Sequence, residues 1–224
     1  AACAHLNLWP DGACDTELVL PAGVYDGEGI RKGIVYPLLG DRLTQPVFNG
    51  FIWRYLYSAR IIRDHQIRFE GAYLEDELFL MEYFCCARLL AVTDQPLYRY
   101  LYNPASATRK YMADVMQVFS RFMERKEALV EKYGINDVCP VWRENTNWAG
   151  LLIAIGNEYA RGNHQPARLK QKAVRELCRR PEMAGAIRAV TPVGLSPNKQ
   201  MVARLVKGRH FFLLTQLYRL KNRI

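Results

Sequence analysis

Several things are scarce in this sequence, and each absence narrows the reading. No stretch approaches the roughly 18–20 continuous apolar residues of a membrane span, and the opening AACAHLNLWPDG has no basic start followed by an apolar block. Neither a spanning helix nor a secretory leader is therefore expected. The six cysteines, Cys3, Cys14, Cys85, Cys86, Cys139 and Cys178, form no CxxC, and no histidine stands at metal-ligand spacing from them. They are read as reduced thiols of a cytoplasmic protein. His5, His65, His164 and His210 are scattered singly, so no metal is assigned to the chain. No DxD, no internal repeat and no low-complexity tract occurs. Acidic residues stop at Glu182, while Arg188, Lys199, Arg204, Lys207, Arg209, Arg219, Lys221 and Arg223 follow it. Those eight cations account for most of the net charge of +9 and point to a polyanionic partner surface.

What is present suffices for a folded core. Half of the 224 residues are apolar, which excludes general disorder. Residues 1–25 carry Pro, Gly and Asp around the short runs LNLW and LVLP, predicting one or two short strands. Asp26 can cap a helix running to about Leu39 and ended by Gly40. A second helix is expected over Asn49–Asp64, with Ile52, Tyr55, Leu56, Ala59 and Ile62 on one face. IRF (67–69) reads as a short strand. A helix over about 75–90 would put Leu78, Met81, Cys85 and Leu89 on one side, and 91–94 with 97–102 read as two strands or one bent at Pro96. Further helices are expected over about 110–133, 141–161, 166–180, 182–190 and 199–222, with breaks at Gly134, Gly162, Pro181 and 194–198. The fold class is α+β, predominantly helical: a few short strands near the front, then a helical C-terminal region. The expected division is 1–109 and 110–224.

Within this layout YLEDELFLMEYF (73–84) places Glu75, Asp76 and Glu77 at the head of an otherwise apolar helix. Two readings stand. Acids in a first turn stabilise a helix by roughly 0.3–1 kcal/mol each through its N-terminal partial charge. A carboxylate fixed there, open to a cleft, can also serve as a general base. Trp53 is open in the same way, to core packing or to stacking on a sugar ring. So are Tyr98 and Tyr100, which share one strand face.

The order of features over 51–109 resembles the second half of family 2 glycosyltransferases of the GT-A type. Those enzymes show a Trp-led helix, a short strand ending in Phe, an acidic pair leading a helix, a strand with Tyr-x-Tyr, and a Ser-x-Thr soon after. Here these are Trp53, Ile67 to Phe69, Glu75-Asp76, Tyr98 and Tyr100, and Ser106 with Thr108. The likeness extends more loosely over about 1–133 and implies the acceptor half of a GT-A fold. It implies Asp76 as the base that deprotonates the acceptor hydroxyl in an inverting transfer, Glu75 as a residue ordering the loop or touching the acceptor, and Trp53, Tyr98 and Tyr100 as acceptor contacts. Two positions depart from the family pattern: Tyr55 stands where Lys is common, and Leu101 where Arg is common. No RxxRW is present, which disfavours the processive synthases.

The resemblance further implies a nucleotide-sugar donor, a glycan or lipid-linked acceptor in bacterial surface polysaccharide synthesis, and a divalent Mg or Mn ion for the parent enzyme. The DxD that would hold that ion is not in this sequence, and DGE (26–28) is the nearest approach. The chain is therefore expected to be the C-terminal part of a longer, non-processive enzyme, inactive alone. The tail over 199–224 mixes Leu, Phe and Val with Lys and Arg. It suits either an interfacial helix on the anionic inner face of the cell membrane, or an ordinary helix with solvated charges. The alternative function is a non-catalytic basic helical module binding membrane or nucleic acid. Nucleic acid is disfavoured because aromatics and cations are not interleaved on a strand surface.

Overall fold

The computed structural model describes residues 1–40, 50–71, 74–102, 110–191 and 196–221. It is α+β and predominantly helical, with a small sheet built from the front of the chain. Two compact units form: one from Ala1–Leu39, Val47–Pro104 and Ser120–Cys139, the other from Gly40–Pro46, Ala105–Phe119 and Pro140–Ile224. Ser106 and Thr108 lie outside the described residues.

The first unit holds the sheet. Three strands come before residue 27: β1 (Ala2–Leu8), β2 (Cys14–Glu17) and β3 (Gly23–Asp26). The fourth, β4 (Leu89–Leu101), is one continuous strand. The order is β2-β1-β4-β3, with β1 and β4 parallel and the outer pairs antiparallel. The β1–β4 register shifts on both sides of Ala4, which faces Pro96. A proline has no N–H for the ladder, so an irregular register there is its ordinary accommodation. Beyond it His5 pairs with Tyr98 and Asn7 with Tyr100.

Asp26 caps the first helical stretch, its carboxylate accepting from the Gly29 N–H at 2.8 Å. The stretch runs as α1 (Gly27–Ile30), a π-helical turn (Arg31–Val35) and α2 (Tyr36–Leu39). Its Ile30, Ile34, Val35, Leu38 and Leu39 pack in the core with Leu80, Met81 and Phe84 of α4 (Glu75–Cys86).

The helix expected over Asn49–Asp64 does not form as one element. A 3₁₀ turn occupies Ile52–Arg54, and α3 covers only Ala59–Asp64. Between them Tyr55 makes an isolated bridge with Ala2. The Leu56 N–H donates to the Ala1 carbonyl at 2.8 Å, and the Ala1 amine to the Leu56 carbonyl at 2.9 Å. Sheet hydrogen bonds thus override local helix propensity, and Leu56, expected on the buried face, is 79% exposed. Residues 67–69 form no strand, although Ile67 is buried. The helix expected over 75–90 stops at Cys86: Ala87 turns extended, and Leu89 enters β4, where its side chain is exposed.

The helical region contains α5 (Val115–Lys132), α6 (Trp142–Glu158), α7 (Ala167–Leu177), α8 (Pro181–Ala189), α9 (Pro197–Lys207) and α10 (Phe211–Lys221). The tail, expected as one helix over 199–222, is broken. Arg209 adopts φ +56°, its N–H donates to the Val206 carbonyl at 3.1 Å, and the His210 N–H reaches the Leu205 carbonyl at 2.8 Å. This is a Schellman stop with arginine in the place glycine usually takes. The preceding Gly208 is required for space, since a β-carbon there would lie 2.6 Å from the His210 ring. Gly134 ends α5 by the same pattern, with φ +59°. The second unit's core holds Trp142, Trp148, Leu151, Ile155, Val174, Met183 and Leu214.

Candidate functional site

The three acids that open α4 do not meet one environment. Successive helical residues point about 100° apart, so they cannot share one. Glu77 is turned inward. Its carboxylate lies 2.9 Å from the Lys126 ammonium, which also donates to the Leu38 carbonyl at 2.8 Å, with side-chain exposures of 1% for Lys126 and 3% for Glu77. Leu38 is among the last residues of α2, whose carbonyls have no partner within the helix. One buried cation thus ties the end of α2 to the first turn of α4 from the middle of α5. That fixes the direction in which the neighbouring Asp76 points.

Asp76 and Glu75 are half-buried. Burial, then the Glu75 carboxylate, raises the proton affinity of Asp76 above its ordinary value. No side chain caps α4, and Leu74 before it sits in the left-handed region at φ +63°. For a leucine that costs roughly 1 kcal/mol. Gly71, at φ +133°, brings the preceding loop in close: a β-carbon there would lie 3.3 Å from that of Glu75. Leu74 thus holds a backbone angle that its side chain disfavours at the entry to the acidic pair, a feature that recurs at functional sites.

Tyr57 lies near enough to Asp76 to feel its charge. Burial mainly, with Tyr55 and Asp76 adding to it, pushes the Tyr57 phenol far above its usual range. It stays a neutral donor, directed to the Ile52 carbonyl at 2.8 Å, with its ring edge-on to Phe79 and Tyr83. The Tyr83 hydroxyl in turn accepts from the Ser58 N–H at 2.8 Å.

On the sheet side the three aromatics expected at the acceptor come together. Trp53 stacks on Tyr98 with ring centres 4.2 Å apart and on Tyr100 at 5.3 Å. Phe51 joins them, 5.0 Å from Trp53. The four rings are partly exposed, so they pack on one another and still present a surface. Beneath them His5 is fully buried, edge-on to Trp53 at 4.8 Å. Burial chiefly, and the Arg54 cation next, hold its pKa below the ordinary histidine value, so it is neutral at neutral pH. Arg54 is buried as well, donating to Glu17 at 3.2 Å and lying 5.6–5.8 Å from the centres of the Phe51 and Trp53 rings.

The segment from Phe51 to Tyr57 therefore joins two groups, with Trp53 on the sheet and Tyr57 on α4. The structure gathers Trp53, Tyr98 and Tyr100 into the first group and leaves Glu75 and Asp76 in the second. The residues that sequence reasoning missed are Phe51, Arg54, Tyr57, His5 and Glu17. A signal for the segment was there: Phe51, Trp53, Tyr55 and Tyr57 recur at every second residue, which is a strand period. Among the described residues no group of three His, Cys, Asp or Glu side chains could hold a metal ion, and no helix is long and apolar enough to cross a membrane. Compared with protein-family models, with curated proteins and with solved structures, the chain matches none.

Proposed function

We propose that this chain is the acceptor side of an inverting, non-processive glycosyltransferase, working on a glycan or lipid-linked acceptor with a nucleotide-sugar as donor. The observation that carries this reading is the meeting of Trp53, Tyr98 and Tyr100 in one half-exposed ring cluster. Sugar rings present flat C–H faces, and exposed aromatic faces are the surfaces that hold them with an orientation. Asp76, at the far end of the Trp53–Tyr57 segment, supplies the base. In the transfer the acceptor oxygen forms its bond to the anomeric carbon as the bond to the donor diphosphate breaks. The electron pair leaves with the nucleoside diphosphate, and the hydroxyl proton passes to the Asp76 carboxylate. A carboxylate whose proton affinity is raised by burial and by Glu75 is a better base than a solvated one. Neutral Tyr57 adds no charge to that region. Lys126 and Glu77 act through the helix, as positioning residues.

The divalent ion implied for the parent enzyme does not fit here. Among the described residues no group of three His, Cys, Asp or Glu side chains could hold it, and the sequence has no DxD. Donor binding is accordingly assigned to chain outside these residues.

The test is transfer from a panel of nucleotide-sugars by the protein expressed from its complete reading frame. Asp76→Asn should lower kcat by roughly a thousandfold, within the range for loss of a general base. Trp53→Ala should raise the KM for acceptor more than it lowers kcat. Full activity in Asp76→Asn would remove this residue from the mechanism and the reading with it.

A further inference from the structure

The second unit contains a basic cavity that the glycosyl-transfer reading does not use. Helices α7, α8, α9 and α10 border an open cleft of about 740 Å³. Arg175, Arg179, Arg188, Lys207 and Arg209 line it, over an apolar floor that includes Val206 and Phe211. No carboxylate belongs to the lining among the described residues. The nearby Glu176 is turned to Lys172, at 3.9 Å.

Five exposed like charges around one opening raise the local positive potential, which draws an anion. Arg175 comes from α7, Arg179 from the turn after it and Arg188 from α8, all before the tail over 199–224, so the cluster is a product of the fold and not of local composition. Two details fix its shape. The Arg175 guanidinium lies 5.7 Å from the centre of the Phe211 ring, which holds that cation against the wall. Arg209 is turned by its left-handed backbone at the α9 stop, a position where glycine would be easier. Here an arginine takes the strained place and lines the cavity. The Lys207 ammonium lies 3.5 Å from the Arg188 carbonyl and bridges α9 to α8.

We propose that this cavity binds a group carrying clustered phosphates, of the diphosphate class. Its several guanidinium forks match adjacent phosphate oxygens better than a single carboxylate or sulfate. Phe212 and Leu213 of α10, outside the lining, are 64% and 53% exposed, an apolar surface for the chain of a lipid-borne diphosphate seated in the cleft. The site stands independently of glycosyl transfer, and its test needs no donor.

The probes are inorganic pyrophosphate, followed by calorimetry, and vesicle flotation. The vesicles are phosphatidylcholine carrying either a polyprenyl diphosphate or phosphatidylglycerol at equal total charge. The chain should bind pyrophosphate, and bind diphosphate vesicles more tightly than phosphatidylglycerol vesicles. Arg179→Glu with Arg188→Glu, both at exposed positions, should weaken both by about tenfold or more, since charge-assisted bonds are lost. Phe212→Ser with Leu213→Ser should weaken the vesicles alone. Pyrophosphate binding without vesicle binding would keep the site and assign it a soluble diphosphate. Failure to bind either diphosphate probe would overturn the proposal. So would equal affinity for phosphatidylglycerol vesicles, or an equal loss in the charge-matched control Arg60→Glu with Arg63→Glu in the first unit.

Discussion

Replacing Asp76 by Asn separates a helix-starting acid from a working carboxylate by stability alone. If Asp76 served only to begin α4, losing its charge would cost roughly 0.3–1 kcal/mol through the helix dipole. The structure argues the other way. α4 has no side-chain cap at its start, and burial and then Glu75 make the ionised form of Asp76 less favourable than in water. Removing that charge relieves a penalty, so Asp76→Asn should be as stable as the parent, or slightly more, at neutral pH. The pH dependence follows from the direction of the shift. The unfolded acid titrates near 3.8 and the folded one above it. Between those values the folded chain holds more protons than the unfolded one, and parental stability falls as pH rises through that window. Above it the deficit is constant. Asp76→Asn has no such step, so the gap in its favour should open as pH rises from the acid side and then level off. Urea unfolding of both proteins across that range measures it. A variant less stable by the full dipole amount at neutral pH, with the gap closing on acidification, would refute the reasoning and leave Asp76 as an ordinary first-turn acid. The stability measurement needs neither donor nor acceptor, so it can be made on this chain.

Two further outcomes test how each unit is held. Lys126→Met should cost about 3–5 kcal/mol in chemical unfolding, because it removes the buried cation facing the Glu77 carboxylate; adding Glu77→Leu should recover part of it, and a single-variant loss below about 1 kcal/mol would show the site to be wet. Gly150→Ala would set a β-carbon 2.2 Å from the Phe119 ring, so overpacking of about 1–3 kcal/mol should outweigh the gain of about 1 kcal/mol in helix propensity; a higher melting temperature would show that Phe119 swings away freely.

Much of the fold could be read from local signals. Asp26 caps the first helical stretch and Gly134 stops α5, each by a mechanism visible in a few residues. The misreadings came where distant hydrogen bonds decide. Counting Ile52, Tyr55, Leu56, Ala59 and Ile62 as a helical stripe ignored the two-residue recurrence of Phe51, Trp53, Tyr55 and Tyr57. Neither period holds through the segment, because Ile52–Arg54 forms a 3₁₀ turn; the bridge from Ala2 to Tyr55 sets its path, and that partner lies at the other end of the unit's sequence. The break in the tail was hidden differently. Gly208 supplies space, while Arg209 takes the left-handed angle, so the residue that turns the chain is not the one composition would choose.

The acids of α4 show the boundary between the two kinds of information. Taking Leu78, Met81, Cys85 and Leu89 as the inward face leaves Glu75, Asp76 and Glu77 as equals. The inward stripe is better read as Glu77, Leu80, Met81 and Phe84, at i, i+3, i+4 and i+7, and all four are buried. An acid on such a stripe must meet a buried cation or keep its proton. That requirement was readable from residues 77–84 alone. Which cation answers it was not, because Lys126 is 49 residues away and looks like any lysine on a charged helix. Once Glu77 is committed inward, the helical angle turns Asp76 about 100° aside, to the half-buried place beside Tyr57. The candidate base is thus set by its neighbour's ion pair, and a variant that moves Glu77 should disturb Asp76 without touching it.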